Sequence, residues 1–268
     1  MITQPLSTSD WNLFLRLARS ESWHIPVKEQ LLFQHQWRPY FLALRQGGKT
    51  CGFVSVVSFR HSGWIGNLLI DPELRGRGYG KYLFEEALKV LNQRPLRRIW
   101  LTASVQGQLL YKRYGFEQID TVVRWSAPGQ GRGQLPANHA TLECLAALEQ
   151  DCWGEDRRDL LRTIATDALL LQQPNTLAML QTGIDLFQLG PWSTAQINPR
   201  YTRLLLDSAL CATPVDKSLF IDGLQASGIE LILRQAGFVR HGQNSLMLRG
   251  ESPNLSGVMA LASFGSFG

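Results

Sequence analysis

The stretch Leu68-Leu69-Ile70-Asp71-Pro72-Glu73-Leu74-Arg75-Gly76-Arg77-Gly78-Tyr79-Gly80-Lys81 decides how the chain is read. An apolar run stops at Asp71-Pro72, and three glycines then alternate with Arg75, Arg77 and Tyr79. From Gly78 onward, Tyr79, Leu83, Ala87, Val90 and Leu91 fall on one helical face, and the pattern stops before Pro95. The order is strand, glycine turn, helix. Such a junction presents unpaired backbone N–H groups and the positive end of a helix, and the missing Cβ atoms let phosphate oxygens come close. It suits a pyrophosphate, with Arg75, Arg77 and Lys81 adding charge, although Arg77 can equally point to water.

Read without context, glycines in this pattern make an ordinary tight turn. A Walker loop needs Ser or Thr after Gly-Lys, and here Gly80-Lys81 precedes Tyr82. A Rossmann fingerprint belongs to a parallel βαβ unit. Here Tyr40–Leu44, Thr50–Phe59 and Trp64–Ile70, separated by Gly47-Gly48-Lys49 and His61-Ser62-Gly63, predict a three-stranded antiparallel meander instead. Ser7-x-x-Asp10 resembles a capping box ahead of Trp11, Phe14, Leu15 and Ala18, which predicts a first helix. Ile99–Thr102 reads as a strand, Gln106–Tyr114 as a short helix and Phe116–Trp125 as a further strand. The predicted order is α, three β, α, β, α, β.

These residues resemble the GNAT superfamily of acetyltransferases. The family's cofactor motif, Arg/Gln-x-x-Gly-x-Gly/Ala after a strand, is matched by Arg75-x-x-Gly78-x-Gly80, and its Leu-Tyr-x-x-x-Gly-Phe element by Leu110-Tyr111-Lys112-Arg113-Tyr114-Gly115-Phe116. The resemblance covers about residues 3–126. It implies acetyl-CoA as co-substrate, lying in a wedge between two splayed strands. Its pantetheine would pair with the backbone of Leu68, Leu69 and Ile70, and its pyrophosphate would rest on Arg75, Gly76, Arg77, Gly78, Tyr79, Gly80 and Lys81. It also implies direct acyl transfer to an amine, with Tyr111 protonating the departing thiolate. By itself a tyrosine on a short helix is more often a core aromatic. A phenol with a reference pKa of about 10 is protonated at neutral pH and suits the acid's task. Ser104 stands where the family often has Asn before this helix and is expected among the cofactor-binding residues, and the strand Trp64–Ile70 has no carboxylate to serve as base. Glu21, His24, Glu29 and Glu117 are open alternatives, and the base is left unassigned.

The rest of the chain bounds this reading. With 268 residues, 44% hydrophobic and 18% charged, it is a globular chain of two-domain length. The net charge of +5 is concentrated: residues 75–113 hold nine Lys or Arg against Glu85 and Glu86. Because this basic segment coincides with the glycine turn, it points to a compact polyphosphate, and no nucleic-acid partner is expected. Cys51, Cys144, Cys152 and Cys211 show no CxxC spacing, so buried or idle thiols are expected, with neither metal nor disulfide. With no apolar run near 18 residues and no basic leader, a cytoplasmic enzyme without membrane contact is expected.

Residues 128–137, with Pro128, Pro136 and three glycines, read as a linker between a domain at 1–127 and another at 138–268. In the second, Thr141–Glu149, Asp156–Ala168 and Tyr201–Leu210 predict helices, and Ala178–Leu180, Leu186–Leu189 and Leu219–Ile221 strands. Gly228–Phe238 echoes Gln106–Phe116 as a short helix closed by Gly, which suggests tandem duplication. This half resembles a diverged GNAT-like repeat through Gly154–Leu161, Leu189-Gly190-Pro191 and Gly237-Phe238. It lacks Arg-x-x-Gly-x-Gly and carries Leu233 in place of Tyr111, so it should hold no CoA. The expected class is α/β, two mixed and mostly antiparallel sheets flanked by helices, in a pseudo-dimeric monomer or a homodimer. The expected function is N-acetylation of a small-molecule amine. A peptide acetyltransferase or a non-catalytic acyl-CoA sensor are the alternatives.

Overall fold

A computed structural model describes residues 1–35, 40–131, 140–184 and 186–268. The first helix, α1 (Thr8–Ser20), opens on the predicted box: the Asp10 N–H donates to the Ser7 hydroxyl at 3.3 Å, and the Ser7 N–H donates to the Asp10 carboxylate at 2.9 Å. Two otherwise orphaned amides are thus satisfied reciprocally. The apolar face of α1 seats Trp11 and Phe14 edge-on against Phe41, with ring centroids 5.0 and 4.8 Å apart. That contact lays the helix across the meander of β2 (Phe41–Gln46), β3 (Lys49–Ser58) and β4 (Ser62–Ile70).

Two elements join the predicted order. A four-residue β1 (Ile2–Pro5) pairs antiparallel with β2, and α2 (Val27–His35) follows α1. Four residues are too few to display a period, and the apolar residues of α2 gather on no single face. The remaining elements are α3 (Tyr79–Asn92), β5 (Arg98–Ala103), α4 (Gln108–Lys112) and β6 (Glu117–Pro128). Beyond them lie α5 (Leu142–Trp153), α6 (Arg158–Ile164), β7 (Leu169–Gln173), β8 (Thr176–Gln181), β9 (Phe187–Thr194) and α7 (Pro199–Ala212). The chain continues through β10 (Ser218–Leu224), α8 (Glu230–Gln235), β11 (Val239–Gly250) and β12 (Val258–Ala260).

The twelve strands among the described residues form one mixed, mostly antiparallel sheet in the order β1-β2-β3-β4-β5-β11-β6-β10-β12-β9-β8-β7. The succession β2-β3-β4-α3-β5-α4-β6 recurs as β7-β8-β9-α7-β10-α8-β11. The closing strands are exchanged: β11 lies against β5, β6 lies against β10, and the two pair with each other at the centre. Each half therefore completes its sheet with a strand from the other. Helical packing reinforces the join, since Trp153 of α5 meets Trp100 of β5 edge-on at 5.3 Å. Of the expected linker, residues 132–137 lie outside the described residues, as does position 138. Gly129, Gln130 and Gly131 donate their N–H groups to Lys217, Leu210 and Thr213 carbonyls.

The two halves also share a bulge. On β4 an extra residue falls between the pairs Phe53–Leu69 and Ser55–Gly66, with Asn67 at φ +52°. On β9 the extra residue falls between Ala178–Trp192 and Leu180–Leu189, at Gly190-Pro191. A bulge bends its strand, and past each one the neighbouring parallel strand diverges. β4 pairs with β5 only from Ser62 to Ile65, and β9 with β10 only at Phe187 and Gln188. The second gap is closed by the chain itself: Ala260 of β12 lies opposite Gly223 on β10 and Trp192 on β9. Gly190 permits this, because a Cβ there would stand 1.9 Å from the Leu261 carbonyl oxygen. No strand among the described residues fills the first gap.

Candidate active site

Beyond Ile65, the β5-facing edge of β4 has no strand partner among the described residues. This leaves the backbone around Leu68–Ile70 available to an extended ligand while the other edge stays bound to β3 through Leu69–Phe53 and Ile70–Gly52. Asp71 ends the strand; its carboxylate accepts from the Glu73 N–H at 3.1 Å. The glycine turn follows, with Gly76 at φ +76° and Gly78 at φ +82°, and a Cβ at either position would have no atom within 4 Å. Gly78 is the N-cap of α3 and no side chain caps that helix. The N–H groups of its first turn, from Tyr79, Gly80 and Lys81, therefore have no intrahelical acceptor.

Around the turn, Arg75 donates to the Ile70 carbonyl at 3.3 Å and pairs with Glu21 at 2.5 Å. Lys81 is 3.8 Å from Glu85, and Arg77 is exposed. These residues fit a pyrophosphate: orphan amides, open space where side chains would stand, and cations at the rim. The corresponding helix start in the second half leaves no such orphan amides. Pro199 opens α7 without an N–H, and the Asn198 side chain accepts from the next two amides, at 3.0 and 3.4 Å.

At the inner end of the gap lies a cavity of about 140 Å³, walled by the β4 bulge, Thr102, Ser104, Tyr111, His24 and Arg124. Tyr111, on α4, is buried with its ring 4.9 Å from Phe84, and its hydroxyl bonds to none of the described residues. Burial alone pushes its phenol well above the ordinary value, so it is protonated at any physiological pH. Ser104 accepts from the Gly107 N–H at 3.2 Å, tying down the start of α4. Leu68 lines the cavity, whereas Leu69 faces the opposite core. Tyr114, by contrast, donates to Glu85 at 2.6 Å on the outer side.

The four carboxylate or imidazole alternatives separate cleanly. Glu21 is held by Arg75, Glu117 is exposed on β6, and His24 lines the cavity with its ring 6.3 Å from Phe220. Glu29 is fully enclosed: the Ser266 hydroxyl donates to it, and the same hydroxyl lies 3.2 Å from Asn67 Nδ2, which in turn donates to Ser55 at 3.0 Å. A chain of contacts thus runs from α2 to the bulge. Desolvation raises the Glu29 carboxyl from 4.5 to about 7, aided by Asp222 and opposed by the Ser266 hydrogen bond and Arg124.

The sign of this shift makes a prediction. A carboxyl whose folded-state pKa is raised contributes stability below about 4.5 that is lost as pH climbs through about 7. The span corresponds to about 3 kcal/mol. Glu29→Gln should therefore melt higher than the parent at pH 8 and nearly level with it at pH 5. Calorimetric melting at both pH values checks this; an equal difference at the two would show that Glu29 is not buried as a shifted acid.

Several residues at the site carried no sequence signal. Asn67, Arg124 and Asp222 lie within strands and Phe264 in the C-terminal tail, and none belongs to a motif. Arg124 on β6 binds Asp222 on β10 through two hydrogen bonds of 2.8 and 2.7 Å, with its guanidinium 4.1 Å above the Phe264 ring. A mid-strand Arg and Asp in two separate halves become partners only through the exchange of β6. The cysteines form no disulfide; Cys51 and Cys152 are buried, but Cys144 is exposed because it sits in the first turn of α5. Among the described residues no cluster of three or more potential metal ligands occurs, and no helix is long and apolar enough to cross a membrane.

The sequence pattern of the acetyltransferase (GNAT) family matches residues 9–116, which hold the bulge, the glycine turn and Tyr111. The chain contains a GNAT-family acetyltransferase domain. Its GNAT domain is similar to an uncharacterized N-acetyltransferase of Methanocaldococcus jannaschii, 32% identical over 78 residues, which are 28% of this chain and 34% of the relative. It is also 28% identical over 81 residues to a putative ribosomal protein bS18-alanine N-acetyltransferase of Bacillus subtilis, covering 29% of this chain and 54% of the relative. The matched part thus spans between a third and about half the length of these relatives.

Solved structures resemble the whole chain beyond the GNAT domain. A putative acetyltransferase from Pyrococcus horikoshii has a TM-score of 0.80 at 16% identity, over 100% of this chain and 95% of that one. A GCN5-related N-acetyltransferase from Sphaerobacter thermophilus has a TM-score of 0.65 at 12% identity, over 96% and 98%. At these identities the likeness is one of fold.

Proposed function

We propose that the chain transfers an acetyl group from acetyl-CoA to a primary amine of a small molecule, by direct attack within a ternary complex. The observation that carries this reading is one continuous surface: an unpartnered β4 edge beside an uncapped glycine turn, ending at a cavity lined by Tyr111. The orphan amides of Tyr79, Gly80 and Lys81 would hold the pyrophosphate, assisted by Arg75, Arg77 and Lys81. The β4 backbone at Leu68–Ile70 would hold the extended pantetheine and polarise the thioester carbonyl. Attack by the amine nitrogen forms the C–N bond, the C–S bond breaks, and the Tyr111 hydroxyl gives its proton to the departing sulfur. The proton that the nitrogen loses on becoming an amide returns to the Tyr111 phenolate, so the products are the amide and the free CoA thiol and the tyrosine is restored.

We assign the cofactor to residues 1–127 and read 138–268 as a diverged repeat that binds none. Support comes from β12, which pairs with β9 where an extended ligand would otherwise lie, and from the capped start of α7. Titration calorimetry should therefore give one acetyl-CoA per chain; two equivalent sites would refute the assignment of the second repeat. Release of free CoA from acetyl-CoA, followed across a panel of amines, tests the reaction. Turnover with small amines supports it, turnover with peptides alone shifts it to a peptide acetyltransferase, and tight binding with no turnover leaves a sensor.

A further inference from the structure

Two cavities meet at the seam where β6 and β11 are exchanged. The outer one, about 430 Å³, opens beside the inner one and is lined by Ser22, Asp222, His241 and Gln243. Trp23, Arg124 and Asn244 wall both, which makes them one cleft running from solvent to Tyr111. Apart from His24 and His241, its charged side chains among the described residues are Arg124 and Asp222.

This pair has a direction. Asp222 is 5% exposed and both its carboxylate oxygens accept from Arg124, whereas Arg124 is 24% exposed. The anion lies behind and the cation in front. Arg124 uses Nε and Nη2 on Asp222, while Nη1 donates to none of the described residues. An anionic ligand in the cleft therefore meets the guanidinium first, and its repulsion from the carboxylate behind is weakened by the greater distance. The guanidinium is also immobilised by Asp222 on one side and the Phe264 ring on another, so little side-chain freedom remains to be lost on binding. Beside it the exposed Asn244 side-chain amide bonds to none of the described residues.

We propose that the cleft selects an amine acceptor that also carries a carboxylate, which docks on Arg124 Nη1 and the Asn244 amide while the amine reaches the inner cavity. The inference rests on the acetyl-transfer reading and names its substrate class. Polyamines and aminosugars with several ammonium groups find no unpaired carboxylate among the described residues of this cleft. Glu29 lies behind Ser266, outside both cavities. A peptide amino terminus offers an amide where the carboxylate would be.

The test compares matched probes by calorimetry on CoA-saturated protein: glycine with glycinamide, β-alanine with β-alaninamide, and spermidine. A charge-assisted hydrogen bond predicts that a carboxylate binds about tenfold or more tighter than its amide. Arg124→Lys keeps a cation for Asp222 but removes Nη1, and should shrink that preference to a few-fold without changing CoA affinity. Asn244→Ala, on an exposed side chain, should weaken carboxylate binding with no change in melting temperature. Equal binding of acid and amide, tighter binding of spermidine, or no binding of either carboxylate overturns the inference. The CoA-release assay with amines lacking a carboxylate then decides separately whether the transferase reading stands.

Discussion

Gly78→Val is expected to weaken acetyl-CoA binding by at least about tenfold while leaving a folded protein, because the residue serves the turn and the ligand by different means. In the free chain a Cβ at Gly78 would meet no atom within 4 Å, so crowding within the protein is not the cost. The cost is the φ of +82°, which a β-branched residue tolerates at roughly 1–2 kcal/mol. That strain lowers the melting temperature by a few degrees for a chain of this size. The proposed ligand adds a second penalty, since the space free of protein atoms is where its phosphates would approach the α3 amides.

Gly48 separates the two effects. It sits in the β2–β3 hairpin at φ +77°, also with no neighbour within 4 Å of a Cβ, and it lines neither cavity of the site. Gly48→Val should lose comparable stability and keep its CoA affinity. A folded Gly78→Val protein that binds acetyl-CoA as the parent does would move the cofactor elsewhere.

What could be read from the sequence was local. The meander, the glycine turn, α3 and α4 each have a period or a turn residue that announces them within a dozen positions, and the structure places them as expected. Leu233, buried in α8, likewise stands where Tyr111 stands in α4. The exchange of β6 and β11 was not legible, because Val122, Val123 and Trp125 would bury the same side chains whichever strand they paired with. Nor was β12, three residues long, whose role depends wholly on the gap it enters.

The acceptor side was hidden for a related reason. Arg124 and Asp222 taken singly match no motif, and Glu29 is one of four open alternatives for the base. Each acquires meaning from a partner 98 or 237 positions away, Asp222 for Arg124 and Ser266 for Glu29. Composition and periodicity have no access to such pairs.

Tyr111→Phe carries the second large effect. The substitution keeps a ring packed on Phe84 and Phe116 and removes only a hydroxyl that bonds to none of the described residues. Melting temperature and acetyl-CoA affinity should therefore change little, and the loss should fall on turnover. General acid catalysis is typically worth about 10²–10⁴-fold. Two facts favour the lower end. A thiol is already a fair leaving group, with a reference pKa of about 8.5, and the burial that keeps Tyr111 protonated also raises its pKa, which reduces the driving force for giving the proton up. The same shift means that the tyrosine should impose no alkaline limb on kcat below the ordinary phenol range, so any limb near neutrality belongs to another group. Single-turnover rates, with chemistry isolated from product release, provide the measurement. A drop of about a hundredfold at unchanged affinity identifies the acid, whereas a Tyr111→Phe protein transferring acetyl at the parent's rate would make Tyr111 part of the core and nothing more.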